Sequence, residues 1–90
     1  MPKILRKAHA GTFESSDAYV EISPGSGKLE LEIDSVVMQQ FGEQIQSAAQ
    51  DELAKNEVSD AHVVLKDRGA LECVIRARIE TAVLRGSEND

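Results

Sequence analysis

Ser15 and Ser35 are the two side chains whose type and setting could carry a covalently attached group. Ser15 lies in a run of small polar residues that predicts a turn, because such side chains bond to nearby backbone groups. A hydroxyl at a hairpin tip is exposed, rigid strands hold it away from the body, and a modifying enzyme can enclose the loop. Ser35 follows Asp34 where a helix is predicted to begin, and both residue types are favoured caps. By local pattern alone, a turn serine and a capping serine explain both positions without further chemistry.

The other reactive side chains predict neither a metal site nor a catalytic centre. His9 and His62 are the only histidines, and neither has a cysteine or a second histidine at ligand spacing. Cys73, the only cysteine, has no local catalytic signature, so we predict a buried and inert side chain. The segment 24–27 contains glycine but lacks the lysine and the following helix of a phosphate-binding loop. We therefore predict no catalytic residues and a chain that is not an enzyme by itself.

Length and composition also favour a carrier, adaptor or subunit over a complete catalyst. The 90 residues fit one domain, predicted to span 1–90, and only 3% are aromatic, which makes a walled pocket hard to build. The net charge of −6 argues against nucleic acid as a partner, since binding a phosphate backbone needs clustered lysine and arginine. A single cysteine suits a reducing compartment, and the chain shows neither a signal peptide nor a run of about 20 apolar residues. We expect a cytoplasmic protein without membrane contact.

Four stretches show the patterns of β-strands. Residues 8–14 are a weak strand that is predicted to form a hairpin with the alternating residues 18–23. After a loop, residues 28–33 alternate most cleanly and are predicted to lie half-buried in an antiparallel sheet. Residues 61–66 form the fourth strand. Together they predict a largely antiparallel sheet.

Two segments favour helices. The first is capped by Asp34 or Ser35 and ends within residues 56–60. Its apolar residues recur at helical spacing and are predicted to pack onto the sheet: Val37, Phe41, Ile45 and Leu53. Residues 70–85 fit both a helix and an alternating strand, and we favour a helix that stops at Gly86 because sixteen residues are long for a strand.

The predicted fold class is α+β, in a two-layer sandwich. A mostly antiparallel sheet of about four strands is covered on one face by two helices, in the order β-β-β-α-β-α. Residues 1–7 are basic and irregular, and both they and residues 87–90 are expected to be flexible.

Several motifs are similar to those of one known family. The segment Ala10-Gly-Thr-Phe-Glu-Ser-Ser-Asp17 resembles the signature of the citrate lyase acyl carrier proteins, the gamma chains of that enzyme. The resemblance continues, in order and at compatible spacing, through Gln40-Phe-Gly42, Asp67-Arg-Gly-Ala-Leu-Glu-Cys73 and Ile75-Arg-Ala-Arg78. The carrier subunit of malonate decarboxylase is a more distant look-alike, with a glycine-rich turn in place of Glu14 and Ser15.

This resemblance implies a covalent cofactor. The family carries 2'-(5''-phosphoribosyl)-3'-dephospho-coenzyme A, joined by a phosphodiester to the serine directly after the glutamate of a Gly-Thr-x-Glu-Ser motif, which is Ser15 here. The thiol of this arm bears an acetyl group, which the alpha subunit of citrate lyase exchanges for citryl. The beta subunit then cleaves the citryl thioester to oxaloacetate and restores the acetyl thioester. A prosthetic-group transferase and an acetyl-activating ligase are further partners implied by the resemblance, which also points to citrate fermentation.

Alternatives stay open for both the site and the function. Ordinary phosphopantetheine carriers attach their arm to a serine that follows an aspartate at the start of a helix, as Ser35 follows Asp34. Those carriers are all-helical, whereas this chain has strand patterns before Ser35, so a helix cap is the favoured interpretation. For the function, the alternatives are a malonate decarboxylase-type carrier subunit and an unmodified interaction or scaffold subunit.

Overall fold

Two helices cover one face of a four-stranded sheet in the computed structural model, which describes residues 3–87. The elements in chain order are β1 (Ala8–Gly11), β2 (Ala18–Pro24), β3 (Leu29–Ser35), α1 (Met38–Lys55), β4 (Ala61–Asp67) and α2 (Glu72–Ser87). This order and the α+β class confirm the prediction from the sequence. Within residues 3–87, neither helix is both long and apolar enough to cross a membrane.

The strands are arranged across the sheet in the order β1-β2-β4-β3. β2 pairs antiparallel with both β1 and β4, whereas β3 pairs parallel with β4. The sheet is mostly antiparallel but mixed, so the antiparallel setting predicted for residues 28–33 was wrong. The cause is α1, which returns the chain from the end of β3 to the start of β4, so that both strands run in the same direction.

Alternating residues of the central strands build an aliphatic core against the helices. The core side chains that are fully buried include Val20, Ile22, Val63 and Leu65 from the strands and Leu53 and Ile79 from the helices. Burying each such side chain contributes about 1.5–3 kcal/mol. The apolar residues of β3 are only half-buried, because this strand lies at the edge of the sheet.

Helix α1 begins later than the sequence predicts. Its cap is Val37, which makes no side-chain capping bond, and Ser35 is instead the last residue of β3. Ile45 and Leu53 are buried as predicted, but Phe41 is 49% exposed, so its predicted packing onto the sheet was wrong. Phe41 lies in the first turn of α1 and shares a hollow with Leu71 of the β4–α2 connection rather than with a strand.

The last segment is a helix, as favoured from the sequence, but it continues through Gly86 instead of stopping there. The missing side chain lets the N-terminal segment approach: a Cβ on Gly86 would lie 3.3 Å from the carbonyl oxygen of Arg6. The Gly86 carbonyl accepts hydrogen bonds from the amides of Leu5, at 2.9 Å, and Arg6, at 3.3 Å. Ile4 is 4% exposed. Residues 4–6 are therefore packed against α2, while residues 1–2 and 88–90 lie outside the described residues.

Candidate attachment site at Ser15

Ser15 lies at the centre of a tight turn between β1 and β2. The amide of Asp17 donates to the carbonyl of Glu14 at 3.1 Å, which closes a four-residue turn around Ser15 and Ser16. Ser16 has a positive φ of 67°, and a positive φ at the third turn position is typical of type II turns. Ser15 is exposed, and its hydroxyl forms no hydrogen bond with any residue in the range 3–87.

The backbone of this turn is fixed to the connection that follows β4. The amide of Ser16 donates to the carbonyl of Arg68 at 2.8 Å, and the amide of Arg68 donates to the carbonyl of Asp17 at 2.9 Å. These bonds extend the ladder between β2 and β4 beyond the end of the sheet. The sequence correctly predicts the hairpin and the exposed serine. However, the turn rests on the β4–α2 connection instead of being held away from the body.

Asp17 ties the turn to helix α2. The guanidinium of Arg78 donates to both of its carboxylate oxygens, Nε to Oδ1 at 3.0 Å and a terminal nitrogen to Oδ2 at 2.8 Å. The hydroxyl of Thr12 donates to Oδ2 at 2.6 Å, and the amide of Ala18 donates to Oδ1 at 2.7 Å. The Arg78 hydrogen bonds, followed by those of Thr12 and Ala18, hold the pKa of Asp17 well below its usual range. Asp17 is therefore an ionised structural anchor at neutral pH.

Gly11 ends β1 and lies tightly against the carbonyl of Ala18 in β2. A Cβ at this position would lie 1.8 Å from the carbonyl oxygen of Ala18, and the backbone has a positive φ of 96°. Both features exclude a side chain, so glycine is required for this approach. The same virtual Cβ would lie 3.2 Å from the Arg78 side chain, which packs over the hairpin at this point.

Aromatic rings line the open face of the sheet next to the turn. Phe13 stacks on Tyr19 with ring centroids 4.4 Å apart, and His9 stacks on Tyr19 at 5.7 Å. Phe13 nevertheless keeps 53% of its surface exposed. Burial, followed by the nearby Glu21 carboxylate, raises the pKa of Tyr19. The turn is thus flanked by an exposed aromatic side chain that the sequence analysis did not single out.

Ser35 is placed quite differently from Ser15. Its hydroxyl donates to Oδ2 of Asp67 at 2.7 Å and accepts from the amide of Val37 at 3.1 Å. Asp67 is only 2% exposed, and its Oδ1 accepts from the amide of Ala70 at 2.9 Å. Ser35 is therefore a structural bridge between β3, β4 and the start of α1. The prediction that it caps the helix was wrong, because α1 begins at Met38.

The remaining candidates stand apart from this turn. Cys73 is exposed, so the prediction of a buried cysteine was wrong. Ile75 of the same helix takes the inward face, and a residue two positions earlier points about 200° away from it. His62 lies on the open face, opposite Val63, and hydrogen bonds to Glu32. Residues 3–87 contain no group of three or more His, Cys, Asp or Glu side chains that could hold a metal ion.

Arg78 and the backbone of Arg68 are the parts of the site that sequence reasoning missed. Arg78 lies 61 residues from Asp17, so no local spacing joins the two. Both arginines do fall within the quoted motifs at residues 67–73 and 75–78, and this was the one available signal of their importance.

Comparison with known proteins finds relatives that match this chain over nearly its whole length. The citrate lyase acyl carrier protein of Cronobacter sakazakii is 52% identical over 86 residues, covering 96% of this chain and 89% of that one. The protein of the same name from Rhodopseudomonas palustris is 51% identical over 83 residues, covering 92% and 86%. The family model described as malonate decarboxylase delta subunit matches residues 5–86.

The fold is also seen in a solved structure. A chain of a Pseudomonas malonate decarboxylase hetero-tetramer, crystallised in complex with malonate, superposes with a TM-score of 0.78 over 94% of this chain and 91% of that one. Its sequence identity is 22%, so this likeness concerns the fold alone. The sequence relatives and the family model, which covers residues 5–86, define the chain as a small acyl carrier protein. On the sequence matches, the chain belongs to the citrate lyase acyl carrier protein family.

Proposed function

We propose that the chain is the acyl carrier subunit of a citrate lyase and that Ser15 carries its phosphoribosyl-dephospho-coenzyme A arm through a phosphodiester. One observation carries the choice of this turn over Ser35: the exposed hydroxyl of Ser15 has no bond within residues 3–87, while the backbone around it is fixed. The names of the relatives support the enzyme, and the Gly-Thr-x-Glu-Ser motif supports the serine.

The surroundings of Ser15 fit a bulky covalent group. Glu14, Ser15 and Ser16 are all exposed, so a transferase can enclose the turn. Replacing the hydroxyl proton of Ser15 by a phosphodiester breaks no hydrogen bond among residues 3–87. Modification of Ser35 would instead disrupt its bonds to the buried Asp67 and to the amide of Val37.

The chain's own contribution is to fix the root of the arm. When attached, the arm supplies a thiol that carries the acetyl and citryl groups. The Arg68 backbone bonds and the Asp17–Arg78 pair hold the turn, so the attachment point moves with the body of the domain. A tethered thioester reaches an effective concentration on the order of millimolar at partner active sites. Two enzymes can therefore use it in turn.

Catalysis belongs to the partners in this proposal. The alpha subunit exchanges acetyl for citryl and the beta subunit cleaves the citryl thioester, while the prosthetic-group transferase and the acetyl-activating ligase prepare the arm in the cytoplasm. Asp17, two residues from Ser15, is paired with Arg78, which lowers its pKa and leaves it a poor general base. The side chains beside Ser15 thus position the turn and do not assist bond cleavage.

The direct test is the mass of the native protein and of its peptides. The chain is purified from its natural host, or made together with its cognate transferase and donor, and is then digested and mapped. We expect one mass increment, equal to the arm, on Ser15. An increment on Ser16 or Ser35, or an unmodified chain from the natural host, contradicts the proposal.

A further inference from the structure

A shallow hollow of about 430 Å³ lies directly beside the turn that carries Ser15. Phe13 of the turn lines one side, and Arg68, whose backbone is bonded to Ser16, lines another. Val36 adds an apolar wall at the end of β3. The volume falls within the range of about 300–1,000 Å³ that is typical of small-ligand sites. The hollow is therefore large enough for part of a group that begins at Ser15.

Two cations face this hollow without a carboxylate partner. Lys66 and Arg68 are exposed and form no ion pair within residues 3–87, although the chain has 16 acidic and 10 basic residues. Lys66 alternates with the buried residues of β4 and lies on the open face of the sheet, and Arg68 directly follows β4; both residues line the hollow. Asp34 also lines the hollow, whereas the carboxylate of Asp67 is bonded to Ser35 and Ala70. The formal charges around the hollow balance, but the two cations are exposed, whereas the carboxylate of Asp67 is buried and its oxygens already accept hydrogen bonds.

The chemistry of these side chains suits the phosphate end of a nucleotide. A guanidinium presents parallel donors that match phosphate oxygens, and an ammonium adds a point charge. The ring of Phe13 is stacked on Tyr19, so it is held in place while 53% of its surface stays exposed. Exposed aromatic rings stack on nucleobases and contact sugars. The two cations and the ring of Phe13 thus line the same hollow.

We propose that this hollow binds the nucleotide end of the arm: Arg68, with Lys66 beside it, binds the phosphodiester on Ser15, and Phe13 contacts the adjoining nucleoside. The inference rests on the proposed attachment at Ser15. The root of the arm then lies against the carrier, and only the pantetheine portion and its thiol swing freely.

The test uses the mass-verified modified chain, isotopically labelled, and compares it with the unmodified chain by nuclear magnetic resonance. The variants are Arg68→Gln and the matched control Lys28→Gln, which removes the same charge at the opposite end of the sheet, where β3 begins. Arg68 holds the turn through backbone atoms, so Arg68→Gln keeps those bonds. Thermal unfolding of both variants checks that they fold equally well.

We expect modification to shift the signals of the Phe13 ring and of the residues 66 and 68. The phosphorus signal of the phosphodiester in the modified chain should be displaced from the signal of the free arm. Arg68→Gln, or the addition of salt, should reverse at least half of this displacement, whereas Lys28→Gln should not. If Ser15 is modified and the shifts stay confined to residues 14–16, or if both variants behave alike, the hollow does not bind the arm. A group mapped elsewhere than on Ser15 overturns the attachment proposal and this inference together.

Discussion

The turn that carries Ser15 and the junction that carries Ser35 lie at the same end of the sheet but are held in different ways. Asp67 pairs with Ala18, just after the turn, on one side and with Ser35 on the other. In the turn, the neighbours of Ser15 provide the rigidity through backbone bonds to Arg68 and the Asp17–Arg78 pair. At the junction, the serine hydroxyl itself makes the bonds that hold the elements together.

This difference shows how a protein can hold a serine firmly and still leave its hydroxyl free. A modified hydroxyl cannot also serve as a donor, so the rigidity of an attachment site must come from other groups. In the turn, the hydroxyl of Thr12 and both carboxylate oxygens of Asp17 supply this rigidity. A short sequence match such as Asp34-Ser35 does not reveal whether the hydroxyl is already engaged.

The largest expected effect is that alanine substitutions at Ser15 and at Ser35 have opposite consequences for attachment and for stability. Ser15→Ala should abolish attachment of the arm and change the free energy of unfolding by no more than about 0.5 kcal/mol, since Ser15 is exposed and unbonded. Ser35→Ala should keep attachment but lose about 1–3 kcal/mol, because Oδ2 of the buried Asp67 then loses its donor. Labelling by the cognate transferase and urea unfolding measure the two quantities.

Ser16→Ala is the control for position within the turn. Ser16 is adjacent and exposed, yet it has a positive φ, so its side chain leaves the backbone in another direction than that of Ser15. We expect it to retain labelling. Labelling that survives Ser15→Ala and disappears in Ser16→Ala or Ser35→Ala would reverse the assignment.

The second prediction tests how closely the turn is seated on β2. Gly11→Ala places a Cβ against the carbonyl of Ala18 and should cost about 2–4 kcal/mol, from overpacking added to the positive φ. Gly27→Ala also has a positive φ, of 107°, but its Cβ meets nothing within 4 Å. It should cost only about 1–2 kcal/mol. Equal shifts of the urea midpoint in the two variants would show that the hairpin is looser than described.

The third prediction concerns the acid stability of the turn. The pKa of Asp17 is lowered in the folded chain from the ordinary value of 3.8, so below that value the unfolded chain binds more protons. The stabilisation is present above about pH 4 and should be lost as the pH falls toward the lowered pKa. Asp17→Asn should flatten this part of the unfolding profile.

Asp51→Asn is the matched control for this pH dependence. The hydrogen bond from Arg76 lowers the pKa of Asp51 as well, but this pair lies between the helices and does not contact the turn. Both variants should flatten the profile of stability against pH. Only Asp17→Asn should also broaden the amide signals of Ser15 and Ser16. If Asp51→Asn broadens them equally, the Asp17–Arg78 pair is not what orders the turn.

The fold was predictable because its strands and helices have periodic apolar patterns. Leu29, Leu31 and Ile33 alternate, and Ile45 and Leu53 recur at helical spacing, which fixes element type and the buried face. The parallel pairing of β3 with β4 depends on where the intervening helix returns the chain, and strand patterns do not encode this. Phe41 recurs at the same helical spacing as the buried residues of α1, but it shares a hollow with the β4–α2 connection and not with a strand. The periodic pattern alone therefore predicted the wrong packing for it.

The exposed turn at Ser15 was predictable from the sequence, whereas the contacts that support this turn were not. The chemistry of residues 14–17 predicted the turn, and the resemblance of residues 10–17 to a family signature singled out Ser15 within it. The support comes from Arg68 and Arg78, which are 53 and 63 residues away along the chain and reach the turn only after the sheet and α2 are assembled. Long-range contacts of this kind leave no periodic trace in a single sequence.

The smallest expected effect is the difference between glycine substitutions at the two central positions of the turn. The free energy of unfolding of the unmodified chain in urea measures it. Ser16→Gly removes a positive-φ strain of about 1–2 kcal/mol and adds about 0.4–1 kcal/mol of unfolded-state entropy, so it should stabilise the chain by up to about 1.6 kcal/mol. Ser15 has an ordinary negative φ, so Ser15→Gly has only the entropy cost and should destabilise by about 0.4–1 kcal/mol. Opposite signs identify a turn of fixed geometry. Equal signs would mean that the two serines exchange conformations in solution, and a transferase would then meet both hydroxyls.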